Sequence, residues 1–188
     1  ANACKEWGIR TLLAMPNKAP AGHQKCLALR GDHNAENAAA AGLVLGCLGL
    51  TNDQIDQSIS SFAGLPHRLQ TVATLGPISF INDSKATNGT AAANAIAAFS
   101  HIYWIAGGLA KDDGLDAVMP HIGNVEKAYL IGNSATAFAK TLHGRCRAGV
   151  YDNLHDATRA AFGWCYYKRG SQRGGQHGSR QRRGGREK

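Results

Sequence analysis

FINDSKATN, residues 80–88, is where the chain passes from an apolar strand into a polar turn and then into a helix, and it sets the fold class of what surrounds it. Ile78, Phe80 and Ile81 read as the end of a short strand. Asn82, Asp83, Ser84, Lys85, Thr87 and Asn88 follow, and the alanine-rich stretch 90–99 reads as a helix. An open α/β sheet meets its ligands with polar side chains delivered at strand C-termini, just before a helix. Asp83 supplies acceptors suited to hydroxyls such as those of a ribose, and Lys85 a cation for an anion. Thr87 supplies a hydroxyl that either caps the helix or touches a ligand. The plainer alternative is that Thr87 or Asn88 is only the N-cap, with Asp83 and Lys85 forming a solvated turn.

Downstream, short apolar runs alternate with helical patterns. LQTVATLG and PISFIN read as a hairpin closed at Gly76 and Pro77. Then come a strand at 101–108, a helical or irregular piece near 113–122, a strand at 127–132, a helix at 134–143 and a last helix near 153–163. This order predicts the α/β class, with a mostly parallel, doubly wound, Rossmann-like sheet and helices on both faces. GGLAKDD, 107–113, falls beyond a strand end like NDSK. Gly107 and Gly108 permit a tight turn or a close backbone approach there, and Lys111 is either an anion holder or an exposed loop lysine.

Upstream, GLPHR at 64–68 fixes a turn and is the best place for a domain boundary. His67 and Arg68 there either reach across to a phosphorylated ligand, to which a guanidinium fork is suited, or lie on the surface. Residues 51–62 read as a short amphipathic helix with Ile55, Ile59 and Phe62 on one face. Residues 31–50 give the clearest helix, broken and capped at Gly31 and Asp32 and ended by Gly49. Asn34 and Asn37 share a face near its start. Their amides either match the donor and acceptor pattern of a ring such as adenine or compete for backbone bonds at a frayed end. In residues 1–30, TLLAM and CLALR read as short strands around the loop PNKAPAGHQK.

Charge is uneven. The formal charge is +8, but residues 168–188 hold eight Lys or Arg against the single Glu187, which leaves the body at about +1. That tail, rich in Arg, Gly and Gln from residue 164 onward, reads as disordered. RNA binding through it is the rival function class, since spaced arginines attract phosphates and stack on bases. Five cysteines, irregularly spaced and without CxxC, point to a reducing compartment rather than a disulfide scaffold or zinc site. With no apolar run of membrane-spanning length, the expectation is a cytoplasmic protein without a membrane partner.

The sequence has no GxxxxGK[ST], GxGxxG or GxSxG, and no carboxylates and histidines at metal-ligand spacing. The patterns alone stop at an α/β domain with half of a nucleotide site. Four phrases in order, LRGDHNAENAAAA, GLPHR, FINDSKATN and IAGGLAKDD, carry a sharper likeness. Together they resemble the Mur ligase family over about residues 27–163, and NDSKATN points to its D-glutamate-adding branch.

The resemblance implies residues 1–63 as the end of a central ATPase domain, 64–163 as a C-terminal Rossmann-like domain and 164–188 as a basic tail. Asn34, Asn37, Arg68 and Asp83 match nucleotide-facing positions; Lys85, Thr87 and Lys111 match the D-glutamate side. It further implies a monomeric ligase of peptidoglycan synthesis that uses ATP and Mg²⁺ to join D-glutamate to UDP-N-acetylmuramoyl-L-alanine. The family's phosphate loop and Mg²⁺ ligands have no counterpart in this sequence. The chain alone is therefore expected to be catalytically incomplete, with no catalytic or metal residue assigned in it.

Overall fold

The computed structural model describes residues 15–109 and 114–174, with side chains left out at 16 and 168–174. The chain forms two compact units, one of residues up to Ser100 with Asp116–His121, the other of His101–Leu115 with the residues from Ile122 onward.

In the first unit, a 3-10 turn at Pro16–Lys18 and helix α1 (Gly22–Lys25) precede a second 3-10 turn at Leu27–Leu29. CLALR is thus not a strand, nor PNKAPAGHQK a plain loop. The Gly22 amide donates to the Asp56 carboxylate at 3.1 Å, and the Cys26 thiol to the Phe62 carbonyl at 3.3 Å. These bonds fold the segment onto the following helices instead of into a sheet. TLLAM lies outside the described residues except for Met15.

Helix α2 (Asp32–Cys47) starts at Gly31, whose φ of 88° suits glycine, with no side-chain cap, so Asp32 sits in the first turn rather than capping it. It ends in a Schellman motif: Gly49 N–H donates to Gly46 O and Leu50 N–H to Leu45 O. Leu45 and Leu50 then pack on the core of Ala38, Ile55 and Ile59. Helix α3 (Asn52–Ser60) supplies the two isoleucines and opens with a Thr51/Gln54 capping box.

Strands β1 (Gln70–Leu75) and β2 (Ile78–Asn82) form the expected antiparallel hairpin, with a register shift between Thr71 and Ala73. It is a two-stranded sheet of its own, and every residue of β1 is exposed. Helix α4 (Gly89–Ala97) follows and buries Ala93 and Ile96.

The second unit holds a parallel sheet in the order β3 (Ile102–Gly107), β4 (Val125–Ile131), β5 (Ala148–Val150). This is the α/β architecture with a parallel sheet that the alternation of strands and helices predicts. The middle strand β4 is buried at Val125 and from Ala128 to Leu130, as a strand covered on both faces should be. Helix α5 (Ala135–Leu142) packs against β4 and β5, and helix α6 (Leu154–Gly174) against β3 and β4. Strand β5, three residues without an apolar run, had no signal in the sequence.

Helix α6 runs on to Gly174, past the residue 163 at which the irregular tail was expected to take over. A stripe at a spacing of four, Ala157, Ala161 and Cys165, all buried, carries the helix past residue 163 as far as Cys165. Tyr129 packs into that stripe with Tyr103 and Tyr151 around it. The Lys127 ammonium lies 4.8 Å from the Tyr129 ring centroid and 4.9 Å from that of Trp164.

Tyr129 is fully buried, and its hydroxyl has no hydrogen-bond partner among the described residues. Burial, with further contributions from Tyr151, Cys165 and Tyr103, pushes its pKa above the ordinary tyrosine value. An unsatisfied buried hydroxyl costs about 1 kcal/mol or more. Tyr129→Phe removes it at nearly constant volume, so the variant should melt about 2–4 °C higher. Calorimetry or thermal circular dichroism checks this, and a lower melting temperature would show that the hydroxyl is satisfied.

Candidate functional site

The site expected at 82–88 is built by two turns pinned together in the first unit. One is His67–Leu69, leading into β1; the other is Asn82–Lys85, leaving β2. Leu69 N–H donates to Oδ1 of Asp83 at 3.0 Å, and Lys85 N–H donates to the carbonyl of His67 at 3.1 Å. Asn82 Nδ2 lies 3.0 Å from Nδ1 of His67, while its Oδ1 accepts from Ser84 N–H at 3.0 Å. His67 and Leu69 have φ of 64° and 44°, a region that non-glycine residues enter only when neighbours hold them there.

Asp83 is half-buried, with one oxygen on Leu69 and the other without a hydrogen bond among the described residues. Burial has the largest effect on its carboxyl and raises the pKa. The Leu69 amide, His33 and Arg68 act in the opposite direction. Those electrostatic effects put His33, at the start of α2, and Arg68 in the neighbourhood of Asp83. Arg68 is exposed, and its guanidinium has no ion pair among the described residues. Arg30 is occupied otherwise, stacked 5.4 Å from the centroid of Phe99.

Asn34 Nδ2 donates to Arg30 O at 2.9 Å, and Asn37 Nδ2 donates to Asn34 Oδ1 at 3.3 Å. The two do share a face. Each keeps one N–H and acceptor capacity for a partner outside the chain. Asn88 caps α4, its Oδ1 accepting from Ala91 N–H at 2.7 Å, which leaves Thr87 exposed and free of capping. Lys85 is also exposed. Lys111 lies outside the described residues, as does the tail beyond 174.

In the second unit, the loops after β3 and β4 interlock. Gly108 N–H donates to Ile131 O at 3.2 Å, and Ser134 N–H donates to Gly108 O at 3.0 Å. A Cβ on Gly107, at φ 153°, would collide with the Ile131 carbonyl. Of the two readings of Gly107 and Gly108, the close backbone approach is the one the packing requires. Among the described residues, no three His, Cys, Asp or Glu converge as a metal site, and no helix is long and apolar enough to cross a membrane.

The family described as "Mur ligase, glutamate ligase domain" matches residues 67–166, which begin at the first strained turn and end within α6. The chain belongs to the Mur ligases. This Mur ligase chain is 57% identical over 111 residues to a UDP-N-acetylmuramoylalanine--D-glutamate ligase of Cereibacter sphaeroides, a match to 59% of the chain and 24% of the relative. With the ligase of the same description from Dinoroseobacter shibae it shares 55% identity over 128 residues, 68% of the chain and 26% of the relative. With that of Phenylobacterium zucineum it shares 42% over 139 residues, 74% and 30%. The chain thus spans about a quarter of the length of the curated relatives it matches.

What the sequence reading missed is the pinning of Leu69 by Asp83 and of His67 by Asn82. No glycine marks either positive φ, so only the nearness of GLPHR to a turn hinted at them.

A raised folded-state pKa means that the folded chain holds the Asp83 proton more tightly than the unfolded chain does. The stability this lends is fully present below the unfolded value and is lost as pH rises through the raised one. Asp83→Asn keeps an acceptor for Leu69 and removes the titration. Urea midpoints measured between about pH 4 and pH 7 should therefore fall less with pH in the variant than in the parent. Parallel curves would mean that burial does not dominate at Asp83.

Proposed function

We propose that this chain carries part of a ligase that adds D-glutamate to UDP-N-acetylmuramoyl-L-alanine at the expense of ATP, in cytoplasmic peptidoglycan precursor synthesis. What supports the reading is the hydrogen-bonded pairing of the turn bearing Arg68 with the turn bearing Asp83 and Lys85, in a chain whose relatives carry that ligase description. Residues up to 63 would belong to the nucleotide-binding domain and those from Gly64 to the glutamate ligase domain. The start of the family match at residue 67 supports such a division, although the compact units divide after Ser100.

The donor set suits a nucleotide. The free oxygen of Asp83 fits ribose hydroxyls, the unpaired Arg68 fork fits phosphate oxygens, and Asn34 with Asn37 offers donors and acceptors to a base. For D-glutamate, Lys85 and Thr87 would offer a cation and a hydroxyl to a dicarboxylate, and Lys111 would add a second cation by its match to the family position. ATP would activate the acyl carboxylate as an acyl phosphate, and the amine of D-glutamate would displace phosphate from it. The work of these residues is to bind, orient and neutralise charge. No group of residues described here fits Mg²⁺. Its ligands and the phosphate loop would come from the rest of a longer protein.

The 188 residues alone should therefore show no ligase activity, since losing even one charge-stabilising donor costs about 10²-fold or more in rate. Incubation with ATP, Mg²⁺, UDP-N-acetylmuramoyl-L-alanine and D-glutamate should give no product above a protein-free control. Protein-dependent ADP release with product would overturn that incompleteness.

A chimera in which the 111 matched residues of this chain replace their counterpart in the Cereibacter sphaeroides relative separates the two sets of residues. Lys111→Ala should impair the use of D-glutamate by about 30- to 150-fold, the loss of one charge-assisted hydrogen bond, and leave KM for ATP nearly unchanged. Asp83→Ala should act mainly on ATP. If Lys111→Ala raised KM for ATP and spared D-glutamate, the two sides would be wrongly assigned.

A further inference from the structure

We infer that His67 is a positioning residue: as a neutral imidazole with its proton on Nε2, it latches the strained turn bearing Arg68 onto the turn bearing Asp83 and Lys85. The reason lies in the side-chain amide of Asn82. Its Oδ1 accepts from the backbone N–H of Ser84, and a backbone N–H can only donate, so that contact fixes which way the amide points. The NH₂ end therefore faces Nδ1 of His67, 3.0 Å away. An amide nitrogen has no lone pair to share, so Nδ1 must supply one, and the ring proton sits on Nε2. Protonating Nδ1 would set donor against donor and open the contact.

The latch closes a turn that needs holding. His67 and Leu69 both occupy positive φ, and Arg68 lies between them, so its direction depends on whether the turn stays closed. The other ties are Lys85 N–H donating to His67 O, Leu69 N–H to Asp83 Oδ1, and His67 N–H to Gln70 Oε1 at 3.0 Å. The charged groups around it are Asp83 and Lys85 on the facing turn, Arg68 on its own turn, and His33 from α2, which acts on Asp83. The functional consequence rests on the ligase reading above: a closed latch holds Arg68 toward the nucleotide side, and acidification loosens it.

Nitrogen-15 NMR of the 188-residue chain decides the matter. Long-range spectra should show neutral His67 with Nδ1 unprotonated. Amide exchange at Leu69 and Lys85, corrected for the intrinsic pH dependence, should speed up about two- to tenfold as the ring protonates, the effect of one modest hydrogen bond. His67→Asn keeps a carbonyl acceptor and a side chain that tolerates positive φ, so it should keep the protection and abolish the pH response. Asn82→Asp should reverse the response, because a carboxylate accepts from the protonated ring. A neutral Nδ1–H tautomer, exchange indifferent to His67 protonation, or an unreversed response in Asn82→Asp would each overturn the latch. Failure of the ligase reading would appear separately, as an Arg68→Ala chimera with parental KM for ATP while the NMR signature of the latch remains.

Discussion

A buried backbone N–H must find an acceptor, and at Leu69 that acceptor is the side chain of Asp83. The bond ties the residue before β1 to the residue after β2, so the hairpin is closed at its open end as well as at Gly76 and Pro77. Gln70 pairs with Asn82 directly inside it. With the base closed, His67 and Leu69 can be held at positive φ, and the side chains of Arg68, Asp83 and Lys85 leave from two turns that cannot separate freely. One oxygen of the carboxylate is thereby spent on the scaffold, and the other has no hydrogen bond among the described residues.

Legibility in the sequence followed the range of the forces involved. The hairpin, α2, α3 and α4 depend on local periodicity and on residues such as Gly49, Thr51, Gln54 and Asn88, whose preferences act within a turn of the chain. Strand β5 depends instead on the edge that β4 offers it, and Ala148–Val150 carries no pattern of its own. The extension of α6 to Gly174 was hidden because Arg, Gly and Gln in the tail dominate its composition, while Cys165 quietly continues the buried stripe of Ala157 and Ala161. In the site, the polar cluster after β2 announced itself. The Leu69–Asp83 bond did not, since it spans fourteen positions and relies on a register shifted between Thr71 and Ala73.

Helix α2 shows the limit of reading a helix from one face. Its alanines Ala35, Ala38 and Ala39 are buried, yet Val44 near its C-terminal end and Leu48 just beyond it are 57% and 72% exposed. Its apolar residues thus lie on more than one side, which a single periodic stripe does not describe.

The interlocked glycines after β3 and β4 tie two loops into one inherited trait. Gly107 has no room for a side chain because of the Ile131 carbonyl, and a Cβ on Gly132 would come within 3.0 Å of the Gly108 nitrogen. A side chain introduced at Gly107 or Gly132 must be matched by a backbone retreat in the facing loop. The two turns can therefore gain bulk there only together.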